Sequence, residues 1–201
     1  MLQVGITGGI GSGKTTVCRL FEVLDVPVYY ADDRAKELMV TDSGLRESIQ
    51  KLLGDEAYRK DGTLDRAWIA GQVFGNEEKL LALNGLVHPA VWRDTARWNE
   101  KYHNYPYTLR EAALLYESGG YKMVDVMLVV TAPEPLRIQR VRERDGLSEA
   151  EVRARMDRQW PQSEKDERAD FLIVNDGQQS LVQQVWRIHH ELLAKATKRK
   201  A

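Results

Sequence analysis

Residues 2–24 read LQVGITGGIGSGKTTVCRLFEVL, and few folds can hold such a stretch. Leu2, Val4 and Ile6 alternate with smaller or polar residues, which predicts a strand. Val17, Leu20, Phe21 and Leu24 recur at helical spacing. Between them Gly8–Thr15 reads GGIGSGKT, a match to G-x-x-x-x-G-K-[ST], the phosphate-binding loop. Side chains at Gly8, Gly11 or Gly13 would crowd a wrapped triphosphate. The loop N–H groups then point inward at the phosphates, and a helix opening at Lys14 adds its positive end. The pattern predicts nucleotide contacts from Gly11, Ser12, Gly13, Lys14, Thr15 and Thr16. Lys14 reaches the β- and γ-phosphates, and the Thr15 hydroxyl is the expected Mg²⁺ ligand, so the implied cofactor is ATP with Mg²⁺.

The rest of the chain reads as helices between strands. A second strand is expected at 26–30, ending at Ala31-Asp32-Asp33, with helices near 34–40 and 45–53. Asp65 and Asn76 are expected N-caps of two short helices, and His88-Pro89 is expected to open another. Further β signals lie at 107–116, 125–131 and 171–175. Pro133 begins a helix, and Ser148 with Glu151 forms a capping box for the next, which Pro161 should end. A final amphipathic helix is expected from Ser180 to about Lys195, with Lys195–Lys200 as a frayed, solvated tail. Strands separated by helices predict an α/β fold with a parallel sheet covered on both faces. Ligands of such sheets sit at the carboxyl ends of strands. Gly8–Thr15, Ala31–Asp33 and Asn175–Gly177 all fall there.

Composition narrows the function classes. The 201 residues suffice for one α/β domain with insertions, and a net charge of −1 speaks against a general nucleic-acid binder. One cysteine, Cys18, cannot form an internal disulfide, which fits a reducing compartment. No signal peptide or membrane-spanning apolar run is read, so a soluble cytoplasmic protein is expected.

Several side chains carry more than one reading. Asp32 or Asp33 either accepts a proton from an acceptor hydroxyl or caps a helix. Glu117 either binds substrate or a metal-bound water, or is a surface acid at a loop end. Eight arginines lie from Arg137 to Arg168. Arg140 and Arg144, one turn apart, repel each other unless an anion separates them, which suits phosphate. Arg153 and Arg155 have ordinary ion-pair spacing from Glu149 and Glu151. His88 alone reads as packing, since nothing nearby completes a metal site. Another small-molecule kinase, or a nucleotide-dependent switch, would share the loop. The Asn-Lys-x-Asp guanine-reading pattern of GTPase switches is missing from the sequence.

The spaced motifs together resemble the dephospho-CoA kinase family. These are Thr7–Thr16, Ala31-Asp32, Asp61–Leu64, Val73-Phe74, His88-Pro89 and Leu114–Glu117. Arg140 with Arg144-Asp145, then Gln159, Lys165, Ala169-Asp170 and Asn175, continue the match. Tyr30, Ala113 and Thr131 stand where the family pattern has Asp, Pro and Asp. The resemblance implies an ATP-dependent phosphorylation of the ribose 3′-hydroxyl of dephospho-CoA, a small-molecule acceptor, with no nucleic acid, membrane or obligate protein partner. It implies a P-loop core of residues 1–33, 105–140 and 170–201, a helical acceptor domain at 34–104 and a lid at 141–169. It makes Asp32 the base, with Lys14 and Arg140 also catalytic. Asn175 and Gly177 would lie near adenine, and His88, Glu117 and Arg144 would contact substrate.

Overall fold

The computed structural model describes residues 1–200. The elements run β1 (Leu2–Thr7), α1 (Lys14–Val23), β2 (Val28–Tyr30), α2 (Ala31–Thr41), α3 (Ser43–Leu53), α4 (Arg66–Val73) and α5 (Glu77–Lys101). They continue β3 (Tyr107–Glu111), β4 (Val126–Thr131), α6 (Glu134–Asp145), α7 (Glu149–Met156), α8 (Gln162–Glu167), β5 (Phe171–Val174) and α9 (Leu181–Lys200). The chain forms two compact units, one of residues 1–30 with the chain from Tyr102 onward, the other Ala31–Lys101.

The first unit is built on a five-stranded sheet in the order β2-β3-β1-β4-β5, and every pairing is parallel. Val4 lies between Leu109 and Val126, so β1 is the central strand. Side chains of β1 and β4 are buried along nearly their whole length, as both faces are covered. On one face Val17, Cys18 and Phe21 of α1 join Val185, Ile188 and Leu192 of α9 against Val4, Ile6 and Leu128. Cys18 is fully buried, and burial pushes its thiol pKa up and out of reach of neutral pH. All strand ends that carry ligand in such a sheet share one edge, where β1 runs into the glycine loop.

Three expectations in this unit are corrected. The strand expected at 107–116 stops at Glu111, and residues 112–119 turn back instead. Helix α7 stops at Met156, not at Pro161; that proline is the N-cap of α8. The tail is no frayed segment. Helix α9 continues through Lys200 because its apolar stripe continues to Ala196, 4 % exposed, and because Arg199 pairs with Asp125. The capping box is present: Glu151 N–H donates to Ser148 Oγ, and Ser148 N–H to Glu151 Oε2 at 2.8 Å.

In the second unit α2, α3 and α5 pack around Leu38, Leu45, Ile49, Leu83, Val87 and Val91. Arg34 of α2 grips Asp94 of α5 with two parallel bonds, Nε to Oδ2 at 2.9 Å and Nη2 to Oδ1 at 2.8 Å. Asp65 and Asn76 accept from first-turn amides, as expected of N-caps. His88-Pro89 does not open a helix, however. Pro89 lies inside the 25-residue α5. An interior proline costs about 3 kcal/mol, and burying a valine returns roughly 1.5–3 kcal/mol. Val87 and Val91 are both buried, so packing on either side outweighs the broken bond.

Candidate active site

The glycine loop takes its shape from residues that only glycine suits. Gly11 and Gly13 adopt φ of 79° and 93°, in the left-handed region that a Cβ penalises. A Cβ at Gly13 would also strike the Asn175 carboxamide. That carboxamide donates Nδ2–H to the Ser12 carbonyl at 2.8 Å, so the end of β5 is clipped to the loop. Lys14 folds back across the loop, with Nζ donating to the Gly8 carbonyl at 3.1 Å. Helix α1 has no side-chain cap and no acid in its first turn. Its N–H groups and dipole are therefore directed at a ligand on the loop. Ser12 Oγ is buried with no hydrogen-bond partner, a further donor inside the cradle. Thr15 and Thr16 are exposed in the first turn of α1.

Helix α6 lies along the other side of the loop. Arg140 donates Nη1–H to the Asn175 carbonyl and Nη2–H to Asn175 Oδ1, both at 3.2 Å. Arg144 does not join it. It pairs with Asp145 through Nε at 2.7 Å, which raises its pKa and draws it off the loop. The arginine that accompanies Arg140 is Arg137, three residues earlier and 6 % exposed. Its backbone packs on Gly11, and a Cβ at Gly9 would collide with its Nη1. Burial pushes its guanidinium pKa down, with Glu134 and Asp166 opposing at a distance. Asn175 leads into a turn in which Asp176 accepts from Gln178 and Gln179 N–H, and Gly177 has φ of 81°.

The segment between α7 and α8 also reaches the loop. Gly9 N–H donates to Gln162 Oε1 at 2.9 Å, and Ile10 N–H donates to Gln159 Oε1 at 2.8 Å. Ile10 packs with Ile138, Val141 and Val152, a small core shared by α6 and α7. Glu117 is not a surface acid: its side chain is 14 % exposed and faces Lys165, which is fully buried. Lys165 Nζ lies 2.7 Å from Glu117 Oε1, off the line of a directed hydrogen bond. The same oxygen accepts the Trp160 N–H at 2.8 Å, while Oε2 is buried and unpartnered. Trp160 stacks on Tyr116, with centroids 5.7 Å apart and planes 8° from parallel.

Asp32 and His88 belong to the helical unit. Asp32 and Asp33 occupy the first turn of α2, immediately after β2, and both are exposed. Asp33 is paired with Lys36 at 2.6 Å. His88 is half-buried on α5, its ring centroid 6.3 Å from that of Trp92. Among the described residues no cluster of three His, Cys, Asp or Glu forms a metal cage. Mg²⁺ needs none, since it keeps several waters and takes substrate phosphates. Thr15 presents one hard oxygen for it.

Sequence reasoning missed Arg137, Gln162 and the Glu117–Lys165 pair. No local pattern marks them, because their partners are 40 or more residues away: Glu117 and Lys165, for example, meet across the fold. No helix among the described residues is long and apolar enough to cross a membrane.

Comparison with known proteins agrees with this geometry. The family model described as dephospho-CoA kinase matches residues 2–180. A dephospho-CoA kinase of Salinibacter ruber is 45 % identical over 179 residues, covering 88 % of this chain and 90 % of that one. A crystal structure of TT1252 from Thermus thermophilus superposes with TM-score 0.83 at 33 % identity, covering 94 % of this chain and 96 % of that one. The dephospho-CoA kinase of Campylobacter jejuni superposes with TM-score 0.71 at 25 % identity, covering 96 % and 98 %. With the glycine loop, the parallel sheet and the family match in agreement along nearly its whole length, the chain belongs to the dephospho-CoA kinase family.

Proposed function

We propose that the chain transfers the γ-phosphoryl group of ATP to the ribose 3′-hydroxyl of dephospho-CoA, giving coenzyme A and ADP, the last step of coenzyme A biosynthesis. The observation that carries the reading is the uncapped N-terminus of α1 behind the glycine loop, with Lys14 folded across it. In a triphosphate complex the Lys14 ammonium exchanges the Gly8 carbonyl for phosphate oxygens. Gly11, Ser12, Gly13, Lys14, Thr15 and Thr16 supply the cradle, and Asn175 and Gly177 border the adenine. Thr15 would hold Mg²⁺, which neutralises phosphate charge when bound.

The hydroxyl oxygen attacks the γ-phosphorus in line, and the bond to the β,γ-bridging oxygen breaks. Asp32 accepts the hydroxyl proton. Arg140 and Lys14 stabilise the charge spread over the transferring oxygens. Residues 34–104 bind the acceptor through His88, and residues 141–169 act as the lid that excludes water. Glu117 Oε2, buried and unpartnered, has the open valence that a substrate N–H or O–H fills. Arg144 contacts substrate after releasing Asp145. The protein works in the cytoplasm with small-molecule substrates and needs no protein partner.

The test is ADP release with dephospho-CoA, against AMP, shikimate and no acceptor. Turnover should require dephospho-CoA. Equal turnover with AMP or shikimate would reassign the acceptor.

A further inference from the structure

Arg137 is a buried cation whose nearest carboxylates, Glu134 and Asp166, act on it only at a distance. It is 6 % exposed, its Nε has no hydrogen-bond partner, and among the described residues no carboxylate lies within ion-pair distance of it. A guanidinium stays charged in proteins, so burying one without an anion in direct contact is costly. Its Nη1 abuts Gly9, the second residue of the glycine loop. Beside it opens a cleft of about 710 Å³, walled by Arg137, Gln159, Trp160, Gln162 and Asp166 among others.

The neighbouring donors mark where acceptor oxygens fit. The N–H groups of Gly9 and Ile10 each hold one neutral carboxamide oxygen, from Gln162 and Gln159. Phosphate oxygens accept more strongly from the same amides, with Arg137 alongside. The order along the loop says which phosphate. Asn175 and Arg140 stand at the Gly13 end, and Arg137 at the Gly9 end. A triphosphate with its nucleoside toward Asn175 and its middle phosphate at the start of α1 presents its terminal phosphate toward Gly9.

We propose that Arg137 binds the terminal phosphate of the nucleotide at the Gly9 side of the loop, displacing the Gln162 and Gln159 carboxamides from the Gly9 and Ile10 amides. The placement rests on the kinase reading above. Arg137 and Arg140, three residues apart on α6, then flank the loop from its two ends.

Titration calorimetry on Arg137→Gln, with the wild type beside it, tests the assignment. The variant should bind β,γ-imido-ATP about 10- to 100-fold more weakly, the range of one lost charge-assisted contact. Its ADP affinity should stay within about twofold. AMP, which ends at the α-phosphate, should likewise bind the variant and the wild type within about twofold. Equal losses for β,γ-imido-ATP and ADP, or no loss, overturn the proposal. A second variant separates binding from packing. Arg137→Met removes the uncompensated charge, so without ligand it should unfold at or above the wild-type temperature. A lower unfolding temperature with unchanged preference for β,γ-imido-ATP over ADP makes Arg137 a packing residue and overturns the proposal. A wild type that binds β,γ-imido-ATP with the Arg137 contrast but does not turn over dephospho-CoA sinks the acceptor assignment alone, because the nucleotide contrast does not depend on the acceptor.

Discussion

Arg140 holds Asn175 at two points, its backbone carbonyl and its side-chain Oδ1, each at 3.2 Å. Asn175 in turn donates to the Ser12 carbonyl at 2.8 Å, so one chain of contacts joins α6, the end of β5 and the glycine loop. The grip needs two donors in a fixed plane, which lysine lacks. Arg140→Lys should therefore fail to restore function, with kcat/KM reduced about 10- to 100-fold, the loss of hydrogen bonds to a charged group. Steady-state kinetics on the folded variant checks it, and full activity would rule out two-pronged recognition.

Lys14→Ala should nearly abolish turnover while the fold survives. Lys14 bonds to the Gly8 carbonyl of the glycine loop rather than filling core space, so its loss removes charge stabilisation of the transferring group. A decrease in kcat of at least about 10²–10³-fold is expected, with an unchanged circular dichroism spectrum.

Asp32→Asn keeps the shape of the first turn of α2 and loses the proton acceptor. A drop in kcat of roughly 10²–10⁴-fold should follow, with little change in ATP affinity. Asp33 is already engaged with Lys36 in an exposed pair, and exposed pairs of this kind contribute little. Asp33→Asn should be mild. If the effects are reversed, Asp33 is the base; if neither variant loses activity, both residues serve the helix start.

His88→Ala tests the helical unit as the acceptor site. It should raise the KM for dephospho-CoA several-fold more than the KM for ATP. A selective rise for ATP would transfer that unit to nucleotide binding.

Lys165→Met should destabilise the protein by about 3–5 kcal/mol, since it strands the Glu117 carboxylate in a buried site. Adding Glu117→Gln should recover most of that loss. Chemical unfolding of the two single variants and the double variant measures the coupling, and additive losses would show that the pair does not interact.

Local chemistry made several features legible without coordinates. The Gly8–Thr15 loop depends on residues that tolerate left-handed backbone beside a strand and a helix, all within a few positions. Ser148 and Glu151 cap their own helix, and Asp65 and Asn76 accept amides three residues on. In each case the interacting atoms are close in sequence, so the residue pattern alone determined the outcome. Tertiary structure decided the rest. The order β2-β3-β1-β4-β5 depends on which hydrophobic edges meet, and no single strand records its neighbours. Pro89 continues a helix because Val87 and Val91 are buried, and α9 runs to Lys200 because Ala196 packs and Arg199 finds Asp125. Arg144 had the spacing of a phosphate ligand, yet its neighbour Asp145 captured it, while Arg137 was carried against Gly9 by the packing of α6 on the loop. A buried charged side chain takes its role from the partners that folding brings within reach, and for Arg137 and Lys165 those partners lie far along the chain.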